Sequence, residues 1–576
     1  MANLNTRARA ERTFDAIVVG SGMSGGWAAK ELTERGLKTL VLERGPMVRH
    51  LVDYPTMNTA PWETQYPRGR LPDATMKAHY PVQQRTGYAL TEFTQHFFVK
   101  DDEEPYTEVQ RFDWIRGYHV GGRSLLWARQ CYRHSDLDFE ANARQGIAVD
   151  WPIRYADLAP WYDYVERFIG VSGQNEGLSQ LPDGHFQPPM EMNCVERAFK
   201  AKAEARFPER RVTIGRAAHL TQPTEEQKSL GRGQCQSRNM CSRGCPFGAY
   251  FSSNSATLVA ANRTKRMTIR PNSIATTLLY DDKRQRADGV RILDATTGKE
   301  EEFYAPIIFL NASALNTAWI LLNSSSSRFP NGFGNASDQV GRNIMDHHLG
   351  VGAGALVEGY EDQYYVGRRP NGIYVPRFRN LGDKASERKD YVRGFGYQGG
   401  AGRLGWDRDF AGFGAGRKAA LSQPGPWGIR LGGFGEILPY ADNRATLNHD
   451  LKDKHGLPTL KLDVSIRENE KAMRRDMADA AAEMLEAAGF KGVQKSADGD
   501  YGPGLGIHEM GTARMGRDPK TSVLNAHNQM WECKNVFITD GAAMTSASCV
   551  NPSLTYMALT ARAAAFAAAA GRKGEL

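Results

Sequence analysis

The chain lacks any uninterrupted apolar run long enough to cross a bilayer. The nearest, Leu554 to Ala570, is mostly alanine and carries Arg562, so it reads as a packed helix. A charged-then-apolar leader is also missing. The first thirteen residues are polar and charged, which predicts no signal peptide of the chain's own. There is no Lys/Arg run and no ladder of aromatic and basic residues, which argues against nucleic-acid binding. The net charge, 73 − 65 = +8, is modest for 576 residues and compatible with an acidic partner protein. A disulfide framework is excluded. The seven cysteines, Cys131, Cys194, Cys235, Cys241, Cys245, Cys533 and Cys549, are odd in number, and three crowd into one short stretch. Without a Cys-x-x-Cys-His, any c-type haem must lie on another chain. The closing Lys-Gly-Glu-Leu only outlines an ER-retention signal and means nothing without an import signal. No internal repeat or low-complexity segment is present. What remains is an ordinary globular composition, 41% hydrophobic and 24% charged, long enough for two interleaved domains.

The stretch from Phe14 to Arg44 organises the rest. Phe14 to Val19 is an apolar run fit for a strand buried on both faces. Gly20-x-Gly22-x-x-Gly25 follows at once, then a helix over Ser24 to Arg35 and a second strand over Lys38 to Leu42 that ends in Glu43. This is a βαβ unit with a dinucleotide fingerprint. The first glycine permits the tight turn, the second lets backbone approach a pyrophosphate, and the third lets helix pack on strand. The helix N-terminus, with Met23 and Ser24, offers free N–H groups to phosphate. Glu43 suits a ribose 2′-OH, and Arg44 follows it.

Residues 46 to 110 are rich in Pro, Tyr and charge without a period, and read as a long excursion. Gly117-Tyr-His-Val-Gly-Gly-Arg-Ser124 is a glycine-rich turn; Gly121, Gly122 and Ser124 join the candidate cofactor residues. Trp151 to Val171 has helical spacing, and 172 to 250 reads as irregular. Strands are expected at Met267–Arg270, Thr276–Tyr280, Gly289–Leu293 and Ala305–Leu310, the last reading as the far edge of the dinucleotide domain. From 350 to 465 short runs between Gly, Asp and Asn have antiparallel-sheet texture. Asn469 to Ala488 is an amphipathic helix ended by Gly489. The predicted fold is α/β with two domains, a Rossmann-like dinucleotide domain and an antiparallel-sheet domain, discontinuous in sequence. The expected division is 1–345 with excursions at 46–110 and 230–250, then 346–500 as the sheet domain, then 501–576 returning to the first.

The C-terminal part is dense in motifs. Val536 to Thr539 reads as a strand that leaves Asp540-Gly541 at its carboxyl end, where ligands of open α/β folds sit. Asn551-Pro552 opens a helix, Asn as N-cap and Pro at the first turn. Gly506 to Gly516 reads GIHEMGTARMG. Together with Val340-Gly-Arg-Asn-Ile-Met-Asp-His347 and the glycine motifs, these stretches resemble the glucose–methanol–choline (GMC) family of flavin oxidoreductases across nearly the whole chain. The resemblance implies FAD, a bilobed fold with a substrate sheet, and alcohol oxidation by hydride transfer. By position it assigns His508 as the catalytic His and Asn551 as its partner. The chemistry agrees: a His of near-neutral pKa can take the hydroxyl proton, and an Asn amide can orient the substrate oxygen. His347-His348 tempts as a metal pair, but adjacent residues on a strand point apart, so a structural role is expected. Pyranose oxidases of this family carry a Thr-His-Trp whose His bonds the flavin covalently. Here Leu125-Leu126-Trp127 stand there instead, so FAD is expected to be non-covalent.

Cys235-x5-Cys241-x3-Cys245-Pro246 places three thiols within one loop's reach. Cys followed by Pro echoes iron–sulfur loops. Structural zinc wants four ligands, and His219 is the closest further donor upstream. The spacing resembles the [3Fe-4S] segment of bacterial FAD glucose dehydrogenase catalytic subunits. Iron–sulfur is the preferred reading, with zinc or reduced thiols as alternatives. A relay suits a dehydrogenase that must release single electrons to a protein. The resembling enzymes work with a small chaperone-like export subunit and a cytochrome c subunit, which implies a periplasmic location by co-export, although the chain alone suggests the cytoplasm.

The resulting expectation is a sugar dehydrogenase acting on a pyranose. His508-Glu-Met-Gly-Thr-Ala-Arg-Met515 looks closer to the glucoside 3-dehydrogenases, so C3 of glucosides is favoured over C1 of glucose. An oxygen-dependent pyranose or alcohol oxidase and a non-catalytic FAD scaffold are the other readings. Trp406, Trp427 and Tyr397 are candidates for stacking on a sugar, with core packing the expected role.

Overall fold

The computed structural model describes residues 12–576 except 61, 67, 68, 89, 366–371, 405–412 and 498–501. Trp406 lies outside the described residues. In chain order the strands are β1 (Ala16–Val19), β2 (Thr39–Leu42), β3 (Thr107–Glu108), β4 (Thr213–Ile214), β5 (Met267–Arg270) and β6 (Ser273–Asp281). Next come β7 (Arg286–Asp294), β8 (Glu300–Tyr304), β9 (Ile307–Leu310), β10 (Gly352–Val357), β11 (Ile373–Val375) and β12 (Phe395–Arg403). The last are β13 (Trp427–Gly435), β14 (Arg444–Lys452), β15 (Pro458–Asp463), β16 (Lys491–Ser496) and β17 (Val536–Ile538).

The first sheet is parallel, in the order β17-β9-β1-β2-β5. Every residue of β1, β2 and β9 is buried, as continuous apolar runs in a doubly covered sheet require. β9 lies inside this sheet next to β1, and the edge is β17, which arrives more than 200 residues later. The far-edge reading of β9 is therefore corrected: sequence order does not reveal strand order when a late segment inserts. The helices Met23–Glu34 and Ser553–Arg572 cover one face through Ala28, Ala29, Ala563, Ala564 and Ala567. Their small side chains let the two helices lie close on the sheet. Among the described residues no helix is long and apolar enough to cross a membrane.

A second sheet is antiparallel, in the order β16-β10-β13-β12-β11-β4. Its two faces differ because side chains alternate along a strand. Ala353, Ala355, Ile373, Val375, Tyr397, Ile429 and Leu431 share one face and pack on the helices Glu468–Ala487 and Cys194–Arg206. Tyr397 and Trp427 are thus core residues. The opposite face is nearly bare. In register across β12, β13 and β10 it carries Gln398, Gly432 and Gly352, then Gly400, Arg430 and Gly354.

Three expectations change. The helix Cys194–Arg206 lies in the stretch read as irregular, started by a capping box between Asn193 and Glu196. β6 and β7 pair with β8 in a separate three-stranded sheet. β14 and β15, read as part of the substrate sheet, pair instead with β3. In each case local texture specified a strand, and long-range pairing chose its neighbour.

The sheet-helix interface supplies a test. A Cβ at Gly433 would lie 2.1 Å from Met477 Sδ, whereas one at Gly402 meets nothing within 4 Å. Gly433→Val should cost about 1–3 kcal/mol by overpacking, read as a lower denaturant midpoint. Gly402→Ala should leave that midpoint unchanged.

Candidate active site

β1, β9 and β17 are parallel, so their carboxyl ends share one edge of the sheet. Gly20, Asn311 and Asp540 leave from that edge and line one cavity of about 1780 Å³ that runs from the glycine loop to the bare face of the second sheet. That is larger than a pocket for one drug-sized ligand, about 300–1,000 Å³.

The glycine loop is built by close approach. Gly20 has φ +92°, and its N–H donates to Leu42 O at 2.8 Å. A Cβ at Gly25 would lie 2.0 Å from Gly20 O, so this position seats the helix against the turn. Gly22 faces open space, with Gly121 O the nearest atom at 3.9 Å. Gly22, Met23 and Ser24 line the cavity, whereas Gly25 stands behind its wall. Glu43 is buried at the end of β2. It accepts from Ser21 N–H at 3.1 Å, Ser21 O–H at 2.6 Å and Gly45 N–H at 3.0 Å. A carboxylate has about four lone-pair sites, so one remains for a hydroxyl. Arg44 also lines the cavity, but its guanidinium is engaged by Glu104 and by Asp453 at 3.1 Å and lies over Tyr118.

The second glycine turn backs onto the first. Gly121, with φ +89°, donates its N–H to Ser21 Oγ at 2.9 Å. Gly122 and Ser124 line the cavity, and Ser124 Oγ accepts from Ser253 N–H at 3.0 Å. Between them Arg123 forms a bidentate pair with buried Glu509, at 3.0 and 2.6 Å. This pair joins the turn to the segment that carries His508.

His508 reaches the cavity wall through two constraints. Met345 and Met510 exchange backbone hydrogen bonds at 3.0 Å, which sets His347 opposite His508. Asp346 then accepts from Gly504, Gly506 and His508 N–H at 2.8, 3.0 and 3.0 Å. Burial, and then Glu509, push the Asp346 pKa up to about 7.

The two imidazoles are hydrogen-bonded, His347 Nδ1 to His508 Nδ1 at 2.9 Å, with rings near perpendicular. His347 Nε2 lies 3.0 Å from the Ser548 carbonyl oxygen. A carbonyl only accepts, so His347 Nε2 carries the hydrogen and its Nδ1 is a lone pair. His508 Nδ1 must then donate, which leaves His508 Nε2 as the free lone pair. Burial holds both groups below the usual histidine range, His347 at about 4 and His508 well below its ordinary value, so both are neutral at pH 7. His347, expected to be structural, is thus the partner of the candidate base. Among the described residues no three or more His, Cys, Asp or Glu side chains form a group able to hold one metal ion.

Asn551 lines the same cavity and is buried. Its Oδ1 accepts from Gln398 Nε2 on the bare face of β12. This corrects the capping expectation: the helix begins at Ser553 without a side-chain cap, because a tertiary partner has taken the Asn551 carbonyl. The Asn551 Nδ2 donor is left for the cavity. Asp540 stands at the cavity wall, accepting from Thr317 O–H at 2.6 Å and Ala542 N–H at 2.9 Å. Burial raises its pKa to about 6. Gly541 O accepts from Gly511 N–H at 3.0 Å.

Cys235, Cys241 and Cys245 are free, partly buried thiols. Burial pushes the Cys235 thiol up, and Cys241 and Cys245 add to that shift. Cys241 lies 3.7 Å from His219 Nε2 and reaches the cavity wall with Leu126 and Trp127.

The GMC oxidoreductase patterns match residues 14–349 and 439–560, amino- and carboxy-terminal parts respectively. The chain belongs to the GMC oxidoreductase family. It is 28% identical to 2-methyl-1,2-propanediol dehydrogenase of Mycolicibacterium austroafricanum, covering 95% of this chain and 94% of that protein. It is 26% identical to the fructose dehydrogenase large subunit of Gluconobacter japonicus, covering 96% and 97%. A formate oxidase from Aspergillus oryzae shares the fold at a TM-score of 0.61 and 14% identity, covering 98% of this chain and 99% of that one. The family uses FAD to oxidise CH–OH donors. The cavity fits that cofactor: Gly22 is open, Glu43 has a free site, and Asn311 Nδ2 and Tyr556 Oη are buried in its wall without partners.

His347, Gln398, Glu509 and Asn311 were missed from sequence. Two had a local signal, Glu509 in its place beside His508 and His347 at the end of the Val340–His347 motif. Replacing His508 by Ala should slow flavin reduction by about 10²–10⁴-fold in anaerobic stopped-flow, with little change in KM. Because burial lowers the His508 pKa, the neutral base persists as pH falls through 6.5. The acid limb of kcat/KM should therefore lie below pH 6.5.

Proposed function

We propose that this GMC oxidoreductase is a sugar dehydrogenase that oxidises a pyranose hydroxyl, at C3 of glucosides ahead of C1 of glucose. The observation that carries the reading is the pairing of a neutral His508, with Nε2 free, and an Asn551 amide in one cavity. His508 Nε2 takes the hydroxyl proton, and Asn551 Nδ2 donates to the same oxygen and orients it. Bound FAD supplies the hydride acceptor, held without a covalent bond because Leu125-Leu126-Trp127 offer no nucleophile to the ring. Gln398, Arg430, Asn193 and Gln494 add polar groups around the substrate sheet, as a polyol requires. The name of the fructose dehydrogenase relative supports a sugar.

In this reading Cys235, Cys241 and Cys245 would hold a [3Fe-4S] cluster, supported by their spacing and soft donor atoms, although as placed they form no group able to hold one metal ion. Such a cluster is a single-electron carrier, which suits delivery to a cytochrome c subunit. A relative named as a large subunit supports an assembly; a small export subunit and a periplasmic location complete the reading.

The purified holoenzyme with an artificial acceptor under nitrogen should oxidise methyl glucoside as well as glucose. Reaction with glucose alone moves the target to C1, and turnover only with O₂ returns the oxidase reading. Metal analysis should find iron and acid-labile sulfide with the EPR signal of an oxidised three-iron cluster. Cys241→Ser should lose both while retaining flavin, and zinc without iron overturns the assignment.

A further inference from the structure

The proton pattern of the base depends on a single carbonyl, that of Ser548. The backbone there is strained: Ser548 has φ +64°, a left-handed conformation that a serine keeps only when its surroundings hold it. Ala547 and Ser548 N–H donate to Glu436 Oε2 at 2.9 and 3.0 Å. Ser548 Oγ donates to Asp138 Oδ1 at 2.8 Å. Glu436 Oε1 is paired with Arg393 Nε at 2.7 Å. The remaining Arg393 nitrogens donate to Asn142 and Gln145. Glu436 and Arg393 are 2% and 1% exposed.

Glu436 also holds the other end of the bond. Its backbone is bridged to that of His347, with Ile437 N–H donating to Asp346 O at 2.9 Å and His348 N–H to Gly435 O at 3.0 Å. One residue therefore places both the imidazole that donates and the carbonyl that accepts. A buried ion pair is weak evidence for stability, since desolvation offsets much of the attraction. Here it stands three hydrogen bonds behind the base.

We infer that Glu436 is a positioning residue that sets the proton arrangement of the catalytic base. Held in place, the Ser548 carbonyl keeps hydrogen on His347 Nε2, and so on His508 Nδ1. Released, His347 can carry its hydrogen on Nδ1 and donate to His508 Nδ1. Neutral His508 then bears hydrogen on Nε2 and cannot accept the hydroxyl proton. The inference rests on His508 being the base.

The test uses FAD-loaded enzyme with ¹⁵N-histidine. Glu436→Gln keeps the shape but removes the charge that balances Arg393. The expected result is a kcat about 10²-fold lower, with KM and flavin content retained and a new protonated His508 Nε2 in the ¹⁵N spectrum. A wild-type kcat, or a lower kcat with the histidine pattern unchanged, overturns the inference. Ser548→Gly keeps the left-handed backbone and loses only the tie to Asp138. With both N–H bonds to Glu436 kept, it should retain the wild-type histidine pattern, and a shifted pattern there assigns the positioning to Asp138 and overturns the inference. His508→Ala separates the two readings: if that variant keeps its rate, the base assignment fails, whatever Glu436 does.

Discussion

Three backbone N–H groups, from Gly504, Gly506 and His508, converge on the carboxylate of Asp346. The loop that carries the candidate base has no regular secondary structure, so its backbone donors need partners from elsewhere. Asp346 supplies them, and its neighbour His347 supplies the hydrogen bond that orients the base. The dipeptide thus places both the backbone and the ring of His508. Burying the carboxylate is costly, as its raised pKa records, and the three donors offset that cost.

Glycine makes space at both ends of the cavity, by different means. At the dinucleotide end it lets backbone touch backbone. Gly25 closes on the Gly20 carbonyl, and Gly121 packs where a Cβ would strike Asn254. At the substrate end it leaves a sheet face without side chains. Gly354, Gly400 and Gly432 border the cavity, and Gln398 and Arg430 stand out of that surface. The same strands bury Ile429, Leu431 and Tyr397 on their other face. One pattern of alternation therefore builds the core and empties the site.

Charged pairs join the parts that must stay in register. Arg123 and Glu509 link the second glycine turn to the base segment, and Arg393 and Glu436 link β12 and β13 to the turn at Ser548. Both pairs are formed between residues hundreds or tens of positions apart. Their energetic return is small against desolvation, so geometry is the clearer gain.

The dinucleotide unit was legible because strand, glycines, helix and acid are contiguous, and each element reports its own chemistry. β5 was read to the residue, and the helices Met23–Glu34 and Glu468–Ala487 within one residue at either end, because apolar periodicity is local. His508 and Asn551 were legible through motifs. What the sequence alone determined was therefore the family and the cofactor unit, and it named His508 and Asn551 as the candidate site residues. Tertiary structure decided which strands are neighbours, that β17 and not β9 ends the parallel sheet, and that Asn551 turns to Gln398 and not to its own helix. It also decided that His347 faces His508 across 161 residues. Such contacts depend on where distant backbone segments pair, and no local pattern of side chains encodes that.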